Sequence, residues 1–226
     1  MNLQKISGLP ILFDTERMEL KFDGDFAPMK KSERTLDELR PYLKDQKAKS
    51  GPDPVYYVWR GVYLKNEEEK IKALNFHYDL TLIPPGKIGG EFVKTAGHYH
   101  LPYSEIYEVL SGRAYVLAQS YDKNPKNINS VYLIEAAAGE QIWIPPHYGH
   151  NIINAFNEPL LVANWISEKA AHDYEPYKNN HGASYYLVDN GNLIDIVKNP
   201  NYDLIPEIKK IPSKKQSSPL YSKVFN

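Results

Sequence analysis

Three residues near the middle of the chain have the types and spacing of metal ligands. His98-Tyr99-His100 places two imidazoles at positions i and i+2, so in an extended segment both side chains leave the same face of the strand. Glu105 follows after Pro102, which bends the chain and can return the carboxylate toward the same cavity from the next strand. Because the chain contains no cysteine, a metal must be held by nitrogen and oxygen atoms.

A second motif, later in the chain, indicates a fourth ligand. The first motif runs His98-x-His100-x4-Glu105-x6-Gly112, and the second runs Gly139-x5-Pro145-x4-His150-x3-Asn154. Together they match the two halves of the cupin signature, whose hairpins face each other across a small β-barrel. His150 then completes a set of three histidines and one carboxylate. Such a set suits iron, manganese, nickel, cobalt or zinc and leaves positions open for water or substrate.

Two positions depart from this signature. Phe92 stands where the first half usually begins with glycine, and His147 stands where the second half usually has one. Both positions are expected to serve turns, so the ligand set is unchanged. We interpret His147 as a turn residue and not as a surplus ligand, because His150 alone occupies the motif position.

The elements that must position these residues indicate an all-β fold, a cupin with the double-stranded β-helix or jelly-roll barrel. From Asp53 onward, short runs of β-branched and aromatic residues are separated by Gly, Pro, Asn and Asp, which is typical of a sandwich or barrel. Residues that tolerate positive φ close antiparallel hairpins at Ser111-Gly112 and at 189–192. Strands are predicted near 55–63, 75–83, 91–95, 105–110, 113–121, 131–135, 141–144, 149–154, 160–167, 184–188 and 193–197.

Three segments are expected along the chain: an N-terminal arm over 1–50, the cupin barrel over 51–198 and a C-terminal tail over 199–226. In the arm, Thr35 and Glu38 have the spacing of a capping box, and Pro41 limits the helix that follows to a turn or two. The tail is rich in Lys, Pro and Ser, and its apolar periodicity is too weak for it to fold alone.

Composition excludes several classes of function. The 226 residues carry a formal net charge of -1, so no basic field exists to attract nucleic acid. The early apolar stretch at 9–13 is short and broken by proline, and no later stretch is long enough to cross a bilayer. We therefore expect a cytoplasmic protein with neither nucleic-acid nor membrane partners.

The residues around the signature resemble one cupin family, the glucose-6-phosphate isomerases of the cupin (archaeal-like) type. The resemblance extends from about Asp53 to Tyr202 and rests most on two strings, Thr95-x-Gly97-His98-Tyr99-His100 and His172-Asp173-Tyr174. It implies reversible conversion of glucose 6-phosphate and fructose 6-phosphate, a step of glycolysis and gluconeogenesis. It also implies one divalent transition metal per chain, with iron expected, and a homodimer.

The resemblance also implies roles for particular residues. Hydroxyl and backbone donors suit a phosphate in a barrel that has no P-loop. Core packing is the alternative explanation for each tyrosine, since the chain contains 18 of them. The implied metal ligands are His98, His100, Glu105 and His150. The implied catalytic residues are Glu105, His98, Tyr107 and His172. The implied substrate contacts are Tyr57, Thr81, Thr95, Gly97 and Tyr174.

The chemistry leaves two routes and two rival functions open. A base can remove the C2 proton to give an enediol, or hydride can pass directly from C2 to C1. Glu105 is the candidate base, although a carboxylate bound to a divalent cation is less basic than a free one. The rival functions are an iron-dependent cupin dioxygenase and a non-enzymatic sugar-binding or storage cupin.

Overall fold

The computed structural model describes residues 1–191 and 193–224, so Asn192 of the second predicted turn and Phe225 and Asn226 of the predicted tail lie outside the described residues. The strands are β1 (Ile11–Asp14), β2 (Glu19–Phe22), β3 (Lys30–Arg34), β4 (Tyr56–Arg60), β5 (Phe76–Ile83), β6 (Lys87–Ile88), β7 (Glu91–Lys94), β8 (His98–Tyr99), β9 (Glu105–Ser111), β10 (Arg113–Tyr121), β11 (Ile128–Ala137), β12 (Glu140–Ile144), β13 (Gly149–Asn154), β14 (Leu160–Ser167), β15 (Tyr185–Asp189), β16 (Ile194–Lys198), β17 (Lys209–Pro212) and β18 (Lys214–Lys215). The helices are α1 (Gln4–Ser7), α2 (Leu36–Leu39), α3 (Glu68–Leu74) and α4 (Glu175–Asn179).

The strands form the all-β cupin barrel that the sequence predicts. One sheet has the order β16-β15-β7-β13-β10-β11-β17, with β6 and β8 as side pairings, and the facing sheet has the order β18-β12-β9-β14-β5-β4-β3. The neighbouring strands pair antiparallel, except for the parallel pair of β11 and β17, and this confirms the hairpin interpretation. The two sheets enclose a lumen, and both halves of the signature border it.

Every strand that the sequence predicts is present, but several strands escaped prediction. The missed strands are β1, β2, β3, β6, β8, β17 and β18. They are two to five residues long and are mostly polar or mixed. Such short segments carry little periodicity of their own, because pairing with another strand, and not local sequence, stabilises them. Phe92, expected in a turn, lies within β7, and its hairpin turns instead at Gly89 and Gly90.

From Tyr78 to Ile83 both faces of β5 are buried, and the polar Asp79 and Thr81 alternate with apolar side chains. Tyr78, Leu80 and Leu82 point outward into a second hydrophobic cluster, which also contains Trp59 and Trp165 of the neighbouring strands. The alternate positions of β5, among them Asp79 and Thr81, therefore point into the lumen. A central strand buried on both faces can thus present polar groups to a site at every second residue.

The two ends of the chain cover the outer face of this sheet. Leu9 and Phe13 near the N-terminus and Leu220 near the C-terminus are buried in the same cluster as Trp165. The Trp165 indole donates to the Leu220 carbonyl over 3.1 Å. Both flanks therefore pack on the barrel, while the segment bounds at 50 and 199 stay predictions.

Short local signals in the N-terminal segment are confirmed. The Thr35 hydroxyl accepts from the Glu38 N–H at 3.3 Å, and the Glu38 carboxylate accepts from the Thr35 N–H at 2.9 Å. Helix α2 then ends after one turn and continues as a 3-10 turn over Arg40–Tyr42, which contains Pro41. No helix in the described ranges is long and apolar enough to cross a membrane.

Candidate metal centre and substrate cavity

The two sheets bring the four predicted ligands together. His98 in β8 lies directly opposite His150 in the antiparallel neighbour β13, and His100 follows one residue after β8 ends. Glu105 is the first residue of β9, in the facing sheet. Strand pairing thus brings His98 next to His150, and the alternation of side chains along an extended segment brings His98 next to His100. The Glu105 carboxylate approaches them from the facing sheet.

The ligand atoms of these four residues converge on one point. One atom from each of the four side chains lies within 4.8 Å of the others. The Nε2 atoms of His98 and His100 are 2.7 Å apart, and Glu105 Oε2 is 3.1 Å from His100 Nε2 and 3.2 Å from His150 Nε2. Such convergence of nitrogens and a carboxylate oxygen is the arrangement that a divalent transition metal requires.

The hydrogen bonds of Glu105 show whether the four side chains suit a metal ion. Its Oε1 accepts a hydrogen bond of 2.7 Å from the Asn164 amide, whereas its buried Oε2 makes no directed hydrogen bond with the described residues. The two imidazole nitrogens beside Oε2 are within ion-pair distance but are not aligned to donate. A buried carboxylate oxygen left in this state is costly, and a cation among the four side chains would satisfy it. The donor set therefore fits a metal.

Electrostatics favour the ligating protonation states of His98 and Glu105. Burial lowers the pKa of His98 well below its usual range, and the neighbouring imidazoles of His150 and His100 lower it further. Burial would raise the pKa of the Glu105 carboxyl, but the adjacent imidazoles of His100 and His150 hold it well below the ordinary value. An uncharged imidazole and an ionised carboxylate are the ligating forms of these groups.

Beside the four ligands lies a cavity of about 250 Å³. Of the predicted site residues, Thr81, Thr95, Tyr107, His172 and Tyr174 line it, together with the ligands His98 and Glu105. The other described residues that line it are Ser32, Glu33, Arg34, Glu38, Tyr56, Val58, Arg60, Asp79, Ala96, Ile152 and Asn164. The cavity is therefore walled mostly by polar side chains around the ligand group.

Tyr107 and His172 flank the ligand group in un-ionised forms. The Tyr107 hydroxyl is 2.9 Å from His150 Nε2, and burial together with the nearby Glu105 raises the pKa of this phenol well above its usual value. Burial lowers the pKa of His172 to about 4, and the neighbouring His100 lowers it further. At neutral pH the cavity therefore offers a phenol O–H and an uncharged imidazole.

The structure corrects the prediction for Tyr57. This side chain points away from the cavity, packs beside Trp59 with ring centroids 6.1 Å apart, and has the Lys31 ammonium 4.6 Å from its centroid. Its neighbour Tyr56 lines the cavity instead. Adjacent residues of a strand face opposite ways, and the sequence Tyr56-Tyr57 does not reveal which of the two faces inward.

Gly97 also differs from its expected role, because it does not line the cavity. Its φ is +76°, and a Cβ added there would lie 2.4 Å from the Tyr177 ring. The glycine therefore lets the backbone turn tightly against a buried aromatic ring, immediately before His98. Its place in the motif is explained by backbone geometry.

Several polar cavity residues were not predicted from the sequence, among them Arg34, Arg60, Asp79 and Asn164. Asp79 and Asn164 carried a usable signal, since each is a polar residue between two apolar neighbours within a predicted strand. The register Arg60↔Asp79, Asp79↔Asn164 and Asn164↔Tyr107 places these residues in one row across four strands. Arg34 gave no such signal, because it ends the polar run of β3, which resembles an exposed edge.

The chain is similar to several known proteins. The family model described as glucose-6-phosphate isomerase (GPI) matches residues 29–204. The glucose-6-phosphate isomerase of Thermococcus onnurineus is 33% identical over 184 residues, covering 79% of this chain and 91% of that protein. That of Pyrococcus furiosus is 31% identical over 185 residues, covering 79% and 92%. A solved structure of oxalate oxidase is 19% identical with a TM-score of 0.43, covering 57% of this chain and 60% of that one.

Proposed function

The chain belongs to the glucose-6-phosphate isomerase family, and on that premise we propose that it interconverts glucose 6-phosphate and fructose 6-phosphate in the cavity beside His98, His100, Glu105 and His150. The observation that carries the proposal is the convergence of the four ligand atoms within 4.8 Å at the edge of a polar cavity. The polar lining suits a sugar phosphate better than the apolar organic substrate that a dioxygenase would need.

The reaction moves hydrogens between C1 and C2 of the sugar without net redox change. A divalent transition metal held by the four ligands would supply a Lewis acid that polarises the substrate carbonyl. We propose iron, with manganese, nickel, cobalt or zinc as alternatives, because the ligand set suits all of them. Thr81, Thr95 and Tyr174 are proposed to hydrogen-bond the substrate, and Tyr107 and His172 to orient its oxygens beside the ligand group.

The contacts of Glu105 bear on which route the hydrogen takes. Its Oε1 is engaged by Asn164 at 2.7 Å, and its Oε2 faces His100 and His150. A carboxylate with one oxygen bonded to Asn164, the other directed at the ligand group and a lowered pKa is a poor proton acceptor. These contacts favour direct hydride transfer from C2 to C1, with Glu105 acting as a ligand more than as a base.

The proposed activity is tested by a coupled assay for fructose 6-phosphate formed from glucose 6-phosphate. We expect the purified protein to be active, to lose activity on chelation, and to recover it when a divalent transition metal is added back. Full activity in a demonstrably metal-free sample would contradict the metal requirement. Oxygen uptake without isomerisation would support the dioxygenase alternative, and metal binding with neither reaction would support a storage or sugar-binding cupin.

The route of the hydrogen is tested with glucose 6-phosphate carrying deuterium at C2. We expect the label to appear at C1 of fructose 6-phosphate without loss to water. Solvent hydrogen at C1 after one turnover would rule out the hydride route. Because a shielded base can return the same hydrogen, a Glu105→Gln variant with metal bound should be measured beside the wild type. Substantial label transfer by that variant is expected if Glu105 does not carry the proton.

The assembly and location of the protein stay predictions. We propose a homodimer, which sedimentation of the purified chain would distinguish from a monomer. A cytoplasmic location is likewise expected, with the sugar phosphate as the partner molecule and no nucleic-acid or membrane partner.

A further inference from the structure

One buried carboxylate in the cavity belongs neither to the ligand group nor to the proposed substrate contacts. Asp79 lies in β5, lines the cavity and is only 5% exposed. Three other carboxylates line the described cavity. Glu105 is one of the four ligands, whereas Glu33 and Glu38 are exposed. Asp79 is therefore the buried carboxylate that can act on a substrate without leaving the ligand group.

The hydrogen bonds of Asp79 engage one of its two oxygens. Its Oδ1 accepts from the Gly61 N–H at 3.0 Å and lies 2.9 Å from His77 Nδ1. Burial opposes protonation of His77, but the contact with Asp79 raises the pKa of this imidazole above its ordinary value. Near Oδ2, the described residues place the Arg60 Nε at 4.0 Å, beyond hydrogen-bond distance. The carboxylate is thus held through Oδ1, and Oδ2 keeps its capacity to accept a proton from a ligand.

Strand register places Asp79 beside the ligand group. Asp79 lies opposite Asn164, and Asn164 lies opposite Tyr107, so the three side chains point to the same face of the sheet. Two strand spacings of about 4.8 Å each separate Asp79 from Tyr107. Burial and Glu105 raise the pKa of the Tyr107 hydroxyl, and the charge of Asp79 adds to that rise. This hydroxyl is 2.9 Å from His150 Nε2, so Asp79 is within electrostatic reach of a group that contacts the ligands.

The substrate must change form before hydrogen can pass between C1 and C2. Glucose 6-phosphate in water is a cyclic hemiacetal, in which C1 carries the O1 hydroxyl and is bonded to the ring oxygen O5. Hydrogen transfer by either route requires the carbonyl at C1. Opening the ring removes a proton from O1, forms the C1=O1 double bond, breaks the C1–O5 bond and adds a proton to O5. Because both oxygens are attached to C1, one carboxylate can take the proton from O1 and return it to O5.

We propose that Asp79 opens the sugar ring, so that the protein interconverts the α and β anomers of glucose 6-phosphate as an activity separate from isomerisation. Oδ2 accepts the O1 proton and delivers it to O5, which leaves the carboxylate unchanged and needs no further reactant. Closure of the open chain onto either face of C1 then gives either anomer. The inference rests on the proposed function and adds the step that precedes it.

The test compares Asp79→Asn with wild type, both full-length and loaded with metal, by NMR exchange spectroscopy of the H1 signals of α and β glucose 6-phosphate. Wild-type protein should accelerate anomer exchange in proportion to its concentration. Asp79→Asn should reduce this acceleration by about 100-fold or more, which is within the usual range of general acid–base catalysis. The asparagine retains an oxygen for the Gly61 N–H, so metal content should stay at the wild-type level.

Asp195→Asn is the matched control. Asp195 is a half-buried carboxylate on β16 that accepts from the Asn190 amide at 2.8 Å and does not line the cavity. This variant should exchange the anomers and isomerise the sugar at wild-type rates.

A second measurement separates ring opening from a merely structural role of Asp79. If Asp79 opens the ring, isomerisation by Asp79→Asn is limited by ring opening and not by hydrogen transfer. Deuterium at C2 should therefore slow this variant less than it slows wild type. Because the substitution removes a negative charge from the cavity, the KM for the anionic substrate should not rise.

The proposal is overturned if wild type does not accelerate anomer exchange, or if Asp79→Asn accelerates it to within about 2-fold of wild type. Asp79→Glu guards against misfolding of the asparagine variant, because it restores a carboxylate. Exchange faster than that of Asp79→Asn supports the proposal, and exchange no faster counts against it. Anomer exchange that depends on Asp79 without any formation of fructose 6-phosphate would contradict only the proposed function.

Discussion

Replacing His150 with alanine is expected to weaken metal binding by at least about 100-fold and to remove most isomerase activity. Loss of a residue that merely supports a ligand costs about 10- to 100-fold in metal affinity, so loss of a ligand should cost at least the upper figure. His150 is buried, and its Nε2 lies 3.2 Å from Glu105 Oε2 and 2.9 Å from the Tyr107 hydroxyl. Metal analysis after dialysis, together with calorimetric titration of the metal-free protein, measures the effect.

His147→Ala is the matched control for this experiment. His147 is exposed and adopts a φ of +68° in the turn before β13, which confirms that it is a turn residue. Among the described residues, His150 groups with the other three ligands and His147 does not. Metal affinity should therefore be unchanged in this variant. Equal metal affinities of His150→Ala and wild type would contradict the prediction that four ligands, His150 among them, hold the metal.

Thr95→Ala, in contrast, should leave the metal bound and raise the KM for glucose 6-phosphate. The Thr95 hydroxyl lines the cavity and accepts from the Ile152 N–H at 3.0 Å, which leaves its own O–H free to donate to a ligand. Thr95→Ser retains the hydroxyl and should behave like wild type. If Thr95→Ala changed neither KM nor kcat, Thr95 would not be a substrate contact.

Replacing Gly97 with alanine is expected to lower the free energy of unfolding by about 3 kcal/mol or more. A side chain at a φ of +76° is strained, which costs about 1–3 kcal/mol, and the added methyl would lie 2.4 Å from the Tyr177 ring, where overpacking costs about 1–3 kcal/mol more. Tyr177 is fully buried and packs on Tyr99, so its ring has little room to move. Urea denaturation of metal-free protein measures the loss without a contribution from ligand binding.

Gly139→Ala separates the two causes. Gly139 has a similar φ of +84°, but a Cβ there would meet nothing within 4 Å. This variant should lose only the backbone contribution, about 1–3 kcal/mol. The difference between the two variants then reports the contact with Tyr177. Equal losses of unfolding free energy in the two variants would mean that the Tyr177 ring moves to accommodate the methyl group. Gly97 would then be needed only for its positive φ.

The sequence by itself determined the features that depend on local spacing. The i, i+2 relation of His98 and His100 places both imidazoles on one side of an extended segment whatever the rest of the chain does. The capping box of Thr35 and Glu38 is likewise a relation between near neighbours, and the structure confirms it. The strands from β4 to β16 that carry strong runs of β-branched and aromatic residues were predicted for the same reason, since such runs are stable only in a buried sheet.

Only the tertiary structure decided which face of each strand meets the cavity. Alternation shows that Tyr56 and Tyr57 face opposite ways, but the inward one is set by the register of β4 against β3 and β5. The same registers bring Arg60, Asp79 and Asn164 into one row with Tyr107. Arg34 reaches the cavity through pairing with a strand more than twenty residues away. Such pairings join residues far apart in the chain, and no local pattern encodes the partner that each strand will find.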